Sequence, residues 1–287
     1  MRYYPLTEDR IKKWKAEGRG SGTKDTWNPW LHRTDFPSKG KQTVDPVFAQ
    51  GREMHFLSYL ERNFYLIYRL SADVDWIQEQ VNWDREESRK IAKELGIKHP
   101  RDPGSQTDIV MTTDLVVHKL ESKSGQRTLF RSVKPGRELM DHNQMEHAEI
   151  ERRLCERHGG SLIFMTESSL GPPCLLRNAD KLYMHRDLDR RPFALSFPGA
   201  LESVSAEVTG EILHAQSSNY RLYEFTTQLN DQRGWPRGTA ASVALFLIDQ
   251  HKLAVNPTRH LLDDYPISEI AALTAFRSSQ KLVARAA

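Results

Sequence analysis

Two short stretches constrain this chain more than anything else in it: Thr113-Asp114-Leu115-Val116 and Phe130-Arg131-Ser132-Val133-Lys134. Both have the apolar, β-branched character of strands, the first opening on a carboxylate and the second ending on an amine. Side chains two apart share a face of a strand, so Ser132 and Lys134 point one way and Arg131 and Val133 the other. Between the stretches, Ser122-Lys123-Ser124-Gly125-Gln126 is rich in turn residues, and a hairpin joining the two strands is expected. Paired in that way, Asp114 and Lys134 meet at one end of a sheet.

An aspartate facing a lysine at a strand end has a specific chemical use. Magnesium is held by one or two carboxylates and keeps its remaining sites for water and phosphate. A cation so placed polarises a phosphodiester and lowers the pKa of a bound water. The lysine stabilises the negative charge that grows on the phosphate. Glu61 supplies the second acid, in the helical stretch Met54-His55-Phe56-Leu57-Ser58-Tyr59-Leu60-Glu61. An acid on a helix, then Asp, then x-x-Lys on adjacent strands is the pattern of the restriction-endonuclease-like, PD-(D/E)xK, α/β nuclease core. Asp108 competes with Asp114 for the central position, because Asp108-Ile109-Val110-Met111 is also strand-like. The longer apolar strand after Asp114 favours Asp114. His99 is either a loop histidine or a contact to phosphate or metal.

The words around these residues extend the pattern. In order they are Glu17-Gly18-Arg19-Gly20, Trp27-Asn28-Pro29-Trp30-Leu31, Pro37-Ser38-Lys39-Gly40, Leu57-Ser58-Tyr59-Leu60-Glu61 and Ile77-Gln78-Glu79-Gln80. Gly96-Ile97-Lys98-His99-Pro100, Met111-Thr112-Thr113-Asp114, Val133-Lys134-Pro135 and Glu149-Ile150-Glu151-Arg152-Arg153 follow. Over roughly residues 8 to 168 this series resembles the TnsA family, the endonuclease subunit of the heteromeric transposases of Tn-seven-type elements. The resemblance implies a Mg2+- (or Mn2+-) dependent endonuclease that cuts the 5′ strands at transposon ends in double-stranded DNA. It implies Glu61, Asp114 and Lys134 as catalytic residues, Asp114 and Glu61 as metal ligands, and support from Ser132 and Glu149, although Arg152 and Arg153, at i+3 and i+4 from Glu149, favour a salt bridge there. It also implies two partners, a DDE transposase (TnsB) and an AAA+ regulator (TnsC), the latter docking on the C-terminal domain. Ser132 departs from the general nuclease pattern, which has an acid two residues before the lysine. The family also lacks an acid there, so the departure favours TnsA over a generic restriction enzyme.

At 287 residues the chain has room for two domains. The net charge of +3 is nearly balanced, but residues 1–52 carry eleven basic residues against six acidic ones. Lys12, Lys13, Lys15, Arg19 and Lys24 are therefore candidate phosphate contacts on a basic N-terminal arm. Trp14, Trp27 and Trp30 allow a second reading, in which the arm is a strap packed on the catalytic core. Two cysteines exclude a disulfide framework and fit a reducing compartment. With no signal-peptide start and no apolar run long enough to span a bilayer, a soluble, cytoplasmic prokaryotic protein is expected.

Periodicity predicts a helix from Thr7 to about Ala16, another over 53–70, a strand over 74–80 and a helix over 83–95 stopped by Gly96. A helix over 142–157 and a strand over 161–165 complete the catalytic domain, 53–170. Pro172-Pro173 marks a boundary, followed by a linker or irregular excursion to about Gly199. Helices over 204–215, 222–233 and 239–251 come next, then paired strands at 253–255 and 260–262. That order predicts a winged-helix-like, α-rich domain within 171–287. Its third helix enters a DNA groove if the domain binds DNA, but its scarcity of basic residues leans toward protein docking. Two alternatives keep the same fold: a stand-alone restriction-type nuclease, and a non-catalytic DNA-binding adaptor.

Overall fold

A computed structural model describes residues 5–35, 47–120, 127–190 and 200–272. The predicted turn Ser122–Gln126, the Pro37–Gly40 word and the end of the predicted linker lie outside the described residues. The chain divides into two compact units, Met1–Ser169 and Leu170–Ala287.

In the first unit the order is α1 (Glu8–Ala16), β1 (Val47–Ala49), β2 (Arg52–Met54), α2 (Tyr59–Tyr68), β3 (Val74–Asn82) and α3 (Arg85–Leu95). It continues through β4 (Thr112–Lys119), β5 (Arg127–Val133), α4 (His142–Arg157) and β6 (Leu162–Met165). Strands β3-β4-β5-β6 make one mixed sheet, in which β3, β4 and β5 run antiparallel and β6 runs parallel to β5. The two constraining stretches are thus neighbouring strands. Local chemistry sets the helix starts: Ser58, Asp84 and Asp141 each accept the amide of the residue three on, from Glu61, Glu87 and Gln144. Gly96, at φ 69°, ends α3 in the left-handed conformation that a side chain disfavours.

Helices α3 and α4 cover one face of the sheet, where Ile91, Val116, Phe130, Ile150, Leu154 and Leu162 form a common core. Helix α2 lies against β4, and Arg131 of β5 donates to the Tyr68 hydroxyl of α2 at 2.6 Å. Ser132 instead meets α4. The alternation expected for β5 is what splits these two neighbours.

The start of α2 differs from expectation. Residues 52–54 are not helical but form β2, paired with β1. Arg52 bonds Glu79 with both guanidinium arms, at 2.6 and 2.7 Å, and Gln50 exchanges two hydrogen bonds with the Ile77 backbone. Tertiary partners on β3 thus hold this segment extended until Ser58 caps the helix. Residues 108–111, expected as a strand, make only an isolated bridge between Asp108 and Arg101. Asp108 is bound there by Arg89 and Arg101, both at 2.7 Å.

The N-terminal tryptophans pack inward. Trp14, Trp27 and Trp30 are buried. Trp14 and Trp30 meet edge to face at 5.5 Å, and Trp27 Nε1 donates to the Glu79 carbonyl at 3.1 Å. The described part of the N-terminal segment is therefore a strap laid on the core of the first unit.

The second unit corrects two expectations. Pro173–His185, read as linker, is helix α5, with proline at its first position and Ala179, Leu182 and Tyr183 buried. Buried Asn178 ties it to the chain beyond, donating to the carbonyls of Pro257 and His260 and accepting from Leu262 N–H. Helices α6 (Ala200–His214), α7 (Leu222–Arg233) and α8 (Thr239–Asp249) follow. Strand β7 (Leu253–Ala254) pairs with β8 (Ala271–Ala272) rather than with 260–262. Helix α8 packs on α5, α6 and α7, and Val243 to Asp249 are all buried. As the central core helix of this unit, α8 presents no face to a DNA groove.

Candidate active site

Strands β4 and β5 begin their pairing at Leu115 and Arg131 and separate beyond it. Asp114 stands in the fork. Its Oδ2 accepts the Val133 amide at 2.7 Å, so the side chain replaces the next rung of the ladder. The same oxygen meets Lys134 Nζ at 3.3 Å. The Asp114 charge outweighs the opposing effect of burial: the ammonium is held well above its ordinary pKa, chiefly by that carboxylate, and stays a cation.

Glu61, on the first turn of α2, is buried beside this pair. Its Oε1 accepts from the Ser58 hydroxyl at 2.8 Å. Oε2 accepts from Leu57 N–H and from Gln80 Nε2, both at 3.0 Å. Burial, followed by the charge of Asp114, raises the Glu61 carboxyl to about 7. Gln80 holds Glu61 from an unusual backbone position. It has φ 50° in the middle of β3, and its turned carbonyl accepts the Trp30 amide at 3.1 Å. The strap and the second acid are thus fastened to one residue.

A third carboxylate joins them. Glu151 of α4 is buried, accepting from the Thr113 hydroxyl at 2.9 Å and the Ser132 hydroxyl at 3.2 Å. Thr113 is itself set by Trp83 Nε1 at 2.9 Å. Burial and then the Asp114 charge push Glu151 up to about 7 as well. The sequence offered Glu149 of the same word as support, with a salt bridge to Arg152 or Arg153 as the favoured reading. In the fold, Glu149 is a surface acid clamped by Arg152 at 2.6 Å and Arg153 at 3.0 Å, held down to about 2 chiefly by Arg152. The signal was helical spacing: Glu151 falls at i+3 from Ala148 and i−4 from Cys155, on the buried stripe, and Glu149 falls off it.

Asp114, Ser132, Lys134 and Glu151 line a cavity of about 380 Å3, and Glu61 is not part of its lining. Among the described residues no three His, Cys, Asp or Glu side chains are grouped to hold an ion as they stand. The donor set still fits a hard divalent cation. Three buried carboxylates accompany one lysine, both glutamates are raised by burial and then by the Asp114 charge, and such an ion needs only one or two of them.

The other sequence-selected residues fall into two groups. Lys12, Lys13 and Lys15 are exposed on α1, and Lys24 is exposed but bonded to Asp75 at 2.9 Å. Arg19 is turned inward, forked onto Asp35 at 2.6 and 3.2 Å and lying 4.3 Å over the Trp14 ring. It fastens the strap. His99 is absorbed by Ser88 at 2.9 Å and the Pro100 carbonyl at 3.0 Å.

Comparison with known proteins agrees with this geometry. Residues 71–167, from the start of β3 to the end of β6, match the TnsA-like endonuclease N-terminal family. Those residues are TnsA-like. Transposon Tn7 transposition protein TnsA of Escherichia coli is 33% identical over 179 residues, which are 62% of this chain and 63% of that relative. The chain thus matches just under two thirds of the relative's length. The mixed sheet, which lies within the matched residues, is a TnsA-like, restriction-endonuclease-like domain. No helix among the described residues is long and apolar enough to cross a membrane.

Proposed function

We propose that this chain is a divalent-metal-dependent DNA endonuclease that cuts the 5′ strands at the ends of a Tn7-type element. The observation that carries the proposal is the convergence of Asp114, Lys134 and two further buried acids where β4 and β5 diverge, inside a TnsA-like domain. When bound, Mg2+ or Mn2+ supplies a polarised phosphodiester and an acidified water. Asp114 is the central ligand. Glu61, fixed by Ser58, Leu57 and Gln80, is the second. Lys134, kept charged by Asp114, stabilises charge on the phosphate. Glu151, raised toward neutrality and oriented by Thr113 and Ser132, suits proton transfer at the attacking water. Ser132 thus acts by positioning an acid rather than as a weak ligand. Exposed Lys12, Lys13 and Lys15 give α1 a cationic face for DNA phosphates.

Cutting one strand at each end leaves the other for a partner. A DDE transposase of the TnsB kind and an AAA+ regulator of the TnsC kind are the proposed partners, with the second unit as the dock for the regulator. The burial of α8 favours a protein-docking use of that unit over a DNA-reading one. The test is Asp114→Ala in a transposition assay that resolves both strands of each end. Loss of 5′-strand cuts by at least about 10²-fold, with 3′-strand cuts retained, is expected, on the scale of a lost transition-state donor. Unchanged 5′ cutting by the folded variant refutes the assignment.

A further inference from the structure

We infer that the cavity beside the catalytic acids receives a nucleobase turned out of the DNA stack next to the scissile phosphate. The inference rests on the nuclease reading and adds a feature of how substrate is held. Three independent features carry it. The first is continuity: one cavity is lined by Asp114, Lys134 and Glu151, by Val110, Met111 and Phe164, and by Trp14 and Trp30 of the strap. Whatever fills it lies beside a phosphate held at Asp114. At about 380 Å3 it is of the size that takes a small ring compound, roughly 300–1,000 Å3.

The second feature is an unanswered donor. Trp30 is 1% exposed and lines the cavity, yet its Nε1 has no hydrogen-bond partner among the described residues. A buried indole N–H ordinarily finds an acceptor. The ring nitrogens and carbonyl oxygens of a base are acceptors of the kind this indole lacks, and its faces suit the apolar part of the lining.

The third feature is a wedge. The turn Gly136–Met140 follows Lys134 after one residue, Pro135. Leu139 lines the cavity, and Met140, next in the chain, is 89% exposed. Removing a base from a duplex leaves a gap, and an unbranched apolar side chain is what proteins insert into such gaps. Unstacking costs least where the pair is already broken, which provides the test.

The experiment uses the full chain with its partner transposase and DNA carrying the element's end and flank. 2-Aminopurine is placed in turn at each position beside the mapped cut, with calcium replacing magnesium to hold the uncut complex. A fluorescence rise confined to one position is expected. Met140→Ala, which alters an exposed side chain, and Ala148→Leu, which fills the cavity, are then compared with wild type in magnesium. Both are expected to cut intact duplex at least about tenfold more slowly, the scale of losing one base–aromatic contact. Both are expected to cut DNA that is abasic at that position at the wild-type rate. Flat fluorescence at every position while wild type cuts overturns the inference and leaves the nuclease reading standing. So does Met140→Ala cutting both DNAs at the wild-type rate, whatever the folding of Ala148→Leu. Absence of any metal-dependent cutting by wild type overturns both.

Discussion

Gln80 shows how much a single residue carries here. Its left-handed backbone turns a carbonyl to Trp30, and its side chain holds Glu61. Gln80→Ala and Gln80→Gly both release Glu61, and each is expected to slow cutting at least about tenfold, the scale of a lost positioning contact. They separate in stability. Glycine relieves the left-handed strain, so Gln80→Gly should be more stable than Gln80→Ala by about 1 kcal/mol in denaturant titration. Equal stabilities would mean that the backbone at Gln80 is unstrained. His55 tests electrostatics away from the acids. It stacks on His32 at 4.3 Å, and burial, then the His32 charge, lowers it to about 4. The unfolded chain takes up this proton near the ordinary value of 6.5 and the folded chain only near 4, so the neutral ring's stabilisation is present above pH 6.5 and is lost as pH falls toward 4. His55→Phe keeps a stacked ring and removes the proton. Its melting temperature should fall less than that of wild type between pH 6.5 and 4; parallel curves would contradict the assignment.

At the scale of elements, β1 and β2 depend on what they dock against. Glu79 is fully buried and its carboxylate is paired with Arg52, itself 9% exposed. Arg52→Ala strands that carboxylate and should cost about 3–5 kcal/mol in equilibrium unfolding. A loss under about 1 kcal/mol, typical of surface pairs, would show that the pair is open to water. The same dependence explains which elements were legible in advance. Helices α1, α3 and α4 carry their own caps and stripes, so local sequence places them closely. Residues 52–54 lack that signal, because Arg52 and Gln50 find their partners on β3. Helix α5 was hidden by Pro172-Pro173, which marks a boundary and also starts a helix with the second proline. The Asn178 bonds that hold it come from residues 257–262, far along the chain.

On the scale of the whole molecule, the division at Ser169 and Leu170 predicts that residues 1–169 expressed alone unfold in one cooperative transition. A non-cooperative trace would show that the first unit needs the second. Asp114, Lys134 and the face of Ser132 were readable from sequence, because strand alternation and a short apolar run are local properties. Glu61 was readable only through the resemblance, since its neighbours permit a surface acid equally well. What the sequence by itself determined is the pair of strands, their polar ends and the capped helices. Tertiary structure decided the rest: that Glu151 lines the cavity with Asp114 while Glu149 pairs with Arg152 and Arg153, that Arg19 locks the strap, and that α8 is a core helix. The physical reason is burial. Desolvation, partner donors and the field of neighbouring charges act on a side chain only after distant segments have closed around it.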